Sequence, residues 1–139
     1  MDPTTLRIES RFISIAELLR TARNPGSEGW SREAKSRFIE SIAIRVPIGQ
    51  FWLYSSDNLL EIFDGRKRWG AIEEFVSNQF ALTGLEFDFP LSDKQRWEDL
   101  KPKIRRRILE TEVPVHLLQI PGDGKPTPEC LAIARRIQC

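Results

Sequence analysis

Two short apolar runs, Gln50 to Ser55 and Leu59 to Phe63, are separated only by Ser56-Asp57-Asn58 and lead straight into Asp64-Gly65 and a helical pattern. Each run is too short for a stable helix, and the polar triplet between them has turn chemistry, so the simplest connection is a β-hairpin. A hairpin that passes directly into a helix, within a sequence that alternates strand-period and helix-period stretches, favours a mixed α/β domain.

The flanking sequence extends this pattern. Leu6 to Glu9 is expected to pair as a short strand. Ser14 with Glu17 three residues on has the spacing of a capping box, and Ile13 can staple against Leu18. That helix should stop by Asn24-Pro25-Gly26. A second helix is expected from Ser31, with Ala34, Phe38, Ile42 and Val46 repeating every four residues and Ile39 and Ala43 widening the stripe until Pro47 ends it. Beyond the hairpin, Trp69, Ile72, Phe75, Val76 and Phe80 share one helical face. Ser92 with Gln95 suggests a further capping box before Trp97. Pro102 suits the first turn of a helix carrying Ile104, Ile108 and Leu109. Glu112 to Ile120 reads as a strand in which Pro114 marks an edge or an entry position. Pro121 to Thr127 reads as a loop, and Thr127-Pro128 as the start of a last helix with Leu131 and Ala134 inward.

The 139 residues, 40% of them hydrophobic, suffice for one packed domain. With 21 basic and 20 acidic residues the formal charge is +1, so any electrostatic signal must be local. No apolar run approaches the ~18 residues of a membrane span. The first residues lack the order of a signal peptide, so a cytoplasmic location and no membrane partner are expected. Cys130, Cys139 and the single histidine, His116, make neither a disulfide framework nor a zinc quartet. No haem or flavin is called for. His116, between Val115 and Leu117, reads as structural.

The segment richest in chemical implication is Asp64-Gly65-Arg66-Lys67-Arg68. A helix N-terminus attracts anions through its free N–H groups and its dipole. Successive cations there are locally unfavourable by about 0.3–1 kcal/mol each. Asp64 as N-cap would offset part of this, and a bound phosphate the remainder, with Gly65 allowing close approach and Arg68 supplying a fork. The plain alternative is a cap, a turn and solvated basic side chains. A second basic cluster, Lys101, Lys103, Arg105, Arg106 and Arg107, lies on the Ile104–Ile108 helix. It reads as a solvated face or as a nucleic-acid contact, whose binding would be salt-dependent. Trp69 and Trp97 are expected in the core, the side taken by Trp52 is open, and Glu73 and Glu74 are expected to face solvent.

In order and spacing these segments resemble the N-terminal domain family of GmrSD-type modification-dependent restriction enzymes, which has a ParB/sulfiredoxin-like fold and a D-G-Q-Q-R-L-like motif at a strand end. The resemblance runs from Ile13–Leu19 and Trp30 through Phe38–Ile42, Val46-Pro47-Ile48-Gly49 and Leu53-Tyr54. It continues to Ile62–Trp69 and, downstream, to Pro102–Arg105 and Val113–Val115, covering roughly residues 12 to 120. It implies an α/β (α+β) domain with a small mixed sheet and flanking helices over 1–120, with 121–139 packed on it as a loop and C-terminal helix. It also implies nucleotide binding and NTP hydrolysis with Mg2+ in the sensing half of a restriction, phage-defence system. On matching positions Asp64 would be catalytic or hold the magnesium, and Gly65 and Arg68 would bind phosphate, with Arg66 and Lys67 at the helix start as further phosphate-binding side chains. Arg66 and Lys67 replace the paired glutamines, and no Gln-Arg pair precedes Trp30, which weakens transition-state stabilisation more than binding. Binding is thus the stronger expectation, with DNA or a separate nuclease subunit as further partners and no nuclease centre in this sequence. The alternative is a non-catalytic DNA- or protein-binding module acting through 101–107.

Overall fold

The hairpin forms as β3, Phe51–Ser56, antiparallel to β4, Leu59–Asp64. The computed structural model describes residues 7–24, 26, 29–56, 59–87, 89–119 and 132, 133, 135 and 136, so the expected loop at 121–127, both cysteines, Leu131 and Ala134 lie outside the described residues. Leu53 pairs with Ile62 but Trp52 with Asp64, leaving Phe63 as the extra residue of a β-bulge that bends β4 at its end.

Around the hairpin the chain builds a five-stranded mixed sheet ordered β1-β5-β3-β4-β2, with β1 Arg7–Ser14, β2 Ala22–Arg23 and β5 Glu112–Gln119. The helices are α1 Ile15–Thr21, α2 Arg32–Ala43, α3 Arg66–Val76 and α4 Pro102–Glu110. The architecture is thus α/β, with one sheet and flanking helices. No helix of the described residues is long and apolar enough to cross a membrane.

Alternation along the strands divides the sheet into two faces. Phe51, Leu53, Ile62, Val115 and Leu117 join Leu18, Ile39, Trp69, Ile72 and Ile108 from the helices in the main core. On the opposite face Tyr54, Phe63 and Leu118 form a smaller cluster against which Trp52 and Ile133 pack. Trp97 is partly buried on the main core, in edge contact with Phe75.

Several expectations shift. The first strand continues to Ser14, paired along its whole length with β5. The Ser14 hydroxyl then accepts the Glu17 N–H and caps α1 as expected. β2 has no sequence signal; it pairs in parallel with β4 at Leu60 and Glu61. α2 starts at its Ser31 cap but ends at Ala43 rather than running to Pro47. Arg45 takes a left-handed φ of 68°, and Val46 N–H bonds Ser41 O while Arg45 N–H bonds Ile42 O, closing the helix without the glycine that usually marks such a cap. Val46 therefore leaves the apolar stripe and is exposed. Ser92 and Gln95 do meet, the Gln95 side chain accepting the Ser92 N–H, but they close a turn before the 3-10 segment Trp97–Asp99. β5 is not an edge. It lies between β1 and β3, and Pro114 sits one residue before the β3 ladder begins at Val115, which matches the entry reading.

A long irregular segment after α3 is held by polar side chains on α2. Buried Ser36 donates to Arg32 O and accepts the Thr83 N–H. Buried Glu40 accepts the N–H groups of Glu86 at 3.1 Å and Phe87 at 2.9 Å. Glu40→Gln keeps the shape but turns one acceptor into a donor facing an N–H, so urea denaturation is expected to show a loss of about 2 kcal/mol. An unchanged midpoint would show that this anchor is dispensable.

Candidate functional site

The bulged end of β4 delivers the chain to Gly65, which is the N-cap of α3 with φ of 99°. Asp64 is therefore not the cap, contrary to expectation, and no side-chain oxygen closes the first turn of α3, which contains no acidic residue. The left-handed conformation and the crowding around it explain the glycine. A Cβ at Gly65 would stand 2.6 Å from Phe51 Cδ1 and 3.1 Å from Arg68 Nη2. The first intrahelical bond runs from Trp69 N–H to Gly65 O, so the N–H groups of Arg66, Lys67 and Arg68 precede the helical ladder.

Arg68 turns away from this pole. Its Nη1 donates to Ile48 O at 2.7 Å and its Nη2 to Gln50 O at 2.8 Å, while Cζ lies 4.7 Å from the Phe51 ring centroid. Asp64 Oδ2 is 3.8 Å from Nη2. Burial lowers the Arg68 pKa from its ordinary value, an effect opposed by the Asp64 charge. The expected phosphate fork is thereby corrected to a clasp on the 48–50 turn. Those carbonyls accept from one guanidinium, which satisfies both at once. Gly49, with φ of 85°, lets the clasp close, since a Cβ there would meet Nη1 at 2.7 Å.

Arg66 and Lys67 remain at the pole, both exposed. Arg66 Nε makes only a long contact of 3.4 Å to Ile62 O, and Asn24 Nδ2 donates to Arg66 O at 3.1 Å. Lys67 reaches past Gly29, where a Cβ would lie 3.2 Å from Nζ. Glu73, half-buried, has its carboxyl pKa raised by desolvation; a hydrogen bond with Asn24 opposes the shift and the Glu74 charge adds to it. Glu74 pairs with Lys35, so neither glutamate is the freely solvated group expected. Asp64 offers one carboxylate, and no group of three histidine, cysteine or acidic side chains gathers for a metal among the described residues.

His116 is structural in geometry, as expected. Its Nδ1 lies 2.6 Å from Ser10 Oγ and its Nε2 2.7 Å from Gln50 Oε1, tying β1 to the start of β3, and Trp52 packs on the ring at 4.7 Å. A hollow of about 770 Å3 opens beside the same turn, lined by Phe12, Ile42, Val46, Ile48 and Gln50 among others and by none of residues 64–68.

The basic helix is divided. Lys101, Lys103 and Arg107 border a common groove with Ile104, whereas Arg105 and Arg106 do not line it. Arg107 Nη1 also donates to Ala43 O at 3.4 Å. None of the five forms an ion pair among the described residues. Sequence reasoning passed over two exposed residues, Phe87 at 49% and Phe89 at 82%, of which Phe89 lines the same groove. Their apolar character in a segment of mixed polarity gave the only hint.

No protein-family model matches the chain, and neither does any curated protein or solved structure.

Proposed function

We propose that the protein is a nucleotide-binding module that takes phosphate groups at the N-terminal pole of α3. The observation carrying this reading is an eleven-residue helix whose first turn has no acidic residue and no side-chain cap but holds Arg66 and Lys67 exposed to solvent. Free N–H groups, the helix dipole and two cations together favour an anion there. Gly65 presents backbone rather than a side chain at the point of closest approach. Arg68 is a positioning residue that fixes the 48–50 turn and the start of α3. The order of α2, the Val46–Gly49 turn, the hairpin and the Asp64-Gly65 junction supports the likeness to the restriction-enzyme family. By that likeness the nucleotide is the ligand of a sensing domain, and its magnesium travels on its own phosphates. Asp64, already ion-paired with Arg68, offers a single carboxylate at the motif, so the donor set favours binding over hydrolysis.

Calorimetric titration with ATP, GTP and CTP in the presence of Mg2+ tests this. At least one is expected to give a saturable response, and Arg66→Ala with Lys67→Ala to weaken it about tenfold, the sum of two contacts of the size seen at helix poles. Melting temperature should rise slightly, because the two substitutions remove cations from the positive pole of the helix. The absence of any saturable response, or equal binding by the double variant, overturns the proposal. Phosphate release in the same samples distinguishes a hydrolase from a binder.

A further inference from the structure

A second surface, independent of the α3 pole, has its own ligand chemistry. Phe89, Pro90, Leu100 and the α4 residue Ile104 form the apolar part of a groove of about 410 Å3, whose border carries Lys101, Lys103 and Arg107. Phe89 is 82% exposed and Phe87 49%, an unusual placement for two phenylalanines close in sequence. Both walls are held in advance. Glu40 fixes the loop through the Glu86 and Phe87 N–H groups, and α4 is seated on the core by Ile108.

We infer that this groove binds single-stranded nucleic acid, with the cations against the backbone phosphates and an unstacked base laid on Phe89. The argument is one of complementarity. Cations that form no ion pair among the described residues attract a polyanion, while a solvent-exposed ring beside them offers a face on which any base can stack. A duplex keeps its bases stacked and can use only the charges. An acidic peptide can use the charges but gains no stacking on the ring.

Fluorescence anisotropy with a labelled twenty-nucleotide oligothymidylate tests the inference on the full chain. Saturable binding is expected, tighter than to a duplex of equal length. It should weaken about 20-fold between 50 and 200 mM salt if three phosphates are neutralised on a single strand. Phe89→Ala is expected to lose about tenfold in affinity with an unchanged melting temperature. Lys101→Glu with Lys103→Glu should remove most binding and flatten the salt dependence. The Arg66→Ala, Lys67→Ala variant should bind the oligonucleotide as wild type does, which separates this surface from the nucleotide site. The inference is overturned by absence of binding, by a duplex bound as tightly, or by an unaffected Phe89→Ala. Competition by polyglutamate as effective as by the oligonucleotide would also overturn it and assign the groove to an acidic protein. Loss in the Arg66, Lys67 variant would place the oligonucleotide at α3 instead.

Discussion

Gly65→Ala is expected to lower the unfolding free energy by about 2 to 5 kcal/mol. Two costs combine. A left-handed φ of 99° disfavours any residue with a Cβ by about 1–2 kcal/mol, and the added carbon would overlap the fully buried Phe51 ring at 2.6 Å. Forcing extra volume into a packed core costs a further 1–3 kcal/mol or so. Chemical denaturation followed by tryptophan fluorescence gives the number directly, since Trp69 lies in edge contact with Phe51. A loss below 1 kcal/mol would mean that the strand-to-helix junction relaxes freely and that the α3 pole is not rigidly placed.

Arg68→Ala should be nearly as damaging, by about 3 kcal/mol, and for a reason unrelated to ligand. The substitution leaves Ile48 O and Gln50 O without their donor, removes the ring contact with Phe51 and isolates Asp64. Hydrogen bonds from a charged donor are worth about 1.5–3 kcal/mol each. Arg68→Lys should recover only part of the loss, because an ammonium reaches both carbonyls less well than a planar fork. The measurement that matters is the pairing of two readouts. Nucleotide affinity of the molecules that remain folded is expected within a few-fold of wild type, whereas Arg66→Ala with Lys67→Ala shows the opposite pattern. If Arg68→Ala abolished binding while stability held, Arg68 would be a ligand contact after all.

The legible parts of the fold were those governed by neighbours in sequence. The caps at Ser14 and Ser31, the hairpin and the Pro102 start each depend on residues within one turn of one another, and each was visible. β2 was not, because two residues carry no periodicity and their pairing with Leu60 and Glu61 is tertiary. The C-terminal end of α2 was misplaced because Arg45 occupies a conformation that glycine normally announces. At the candidate site, Arg66 and Lys67 stand exposed at the pole of α3, where the charge pattern placed them. The same pattern gave no sign of the clasp made by Arg68, whose acceptors are main-chain carbonyls 18 and 20 residues away. Ser36 and Glu40, one helical turn apart in the buried stripe of α2, were the polar interruptions that should have pointed to a loop anchored there.

The position of β5 sets an order of events during synthesis. The first strand pairs with the last described one, Arg7 opposite Gln119, and nothing else in the sheet lies against it. β5 must therefore leave the ribosome before β1 finds its neighbour, and until then the hairpin side of the sheet waits with Phe51 and Leu53 lacking Val115 and Leu117 beside them. Contacts so distant along the chain form late. Nascent chains stalled before residue 112 should thus be the form that chaperones hold and proteases cut.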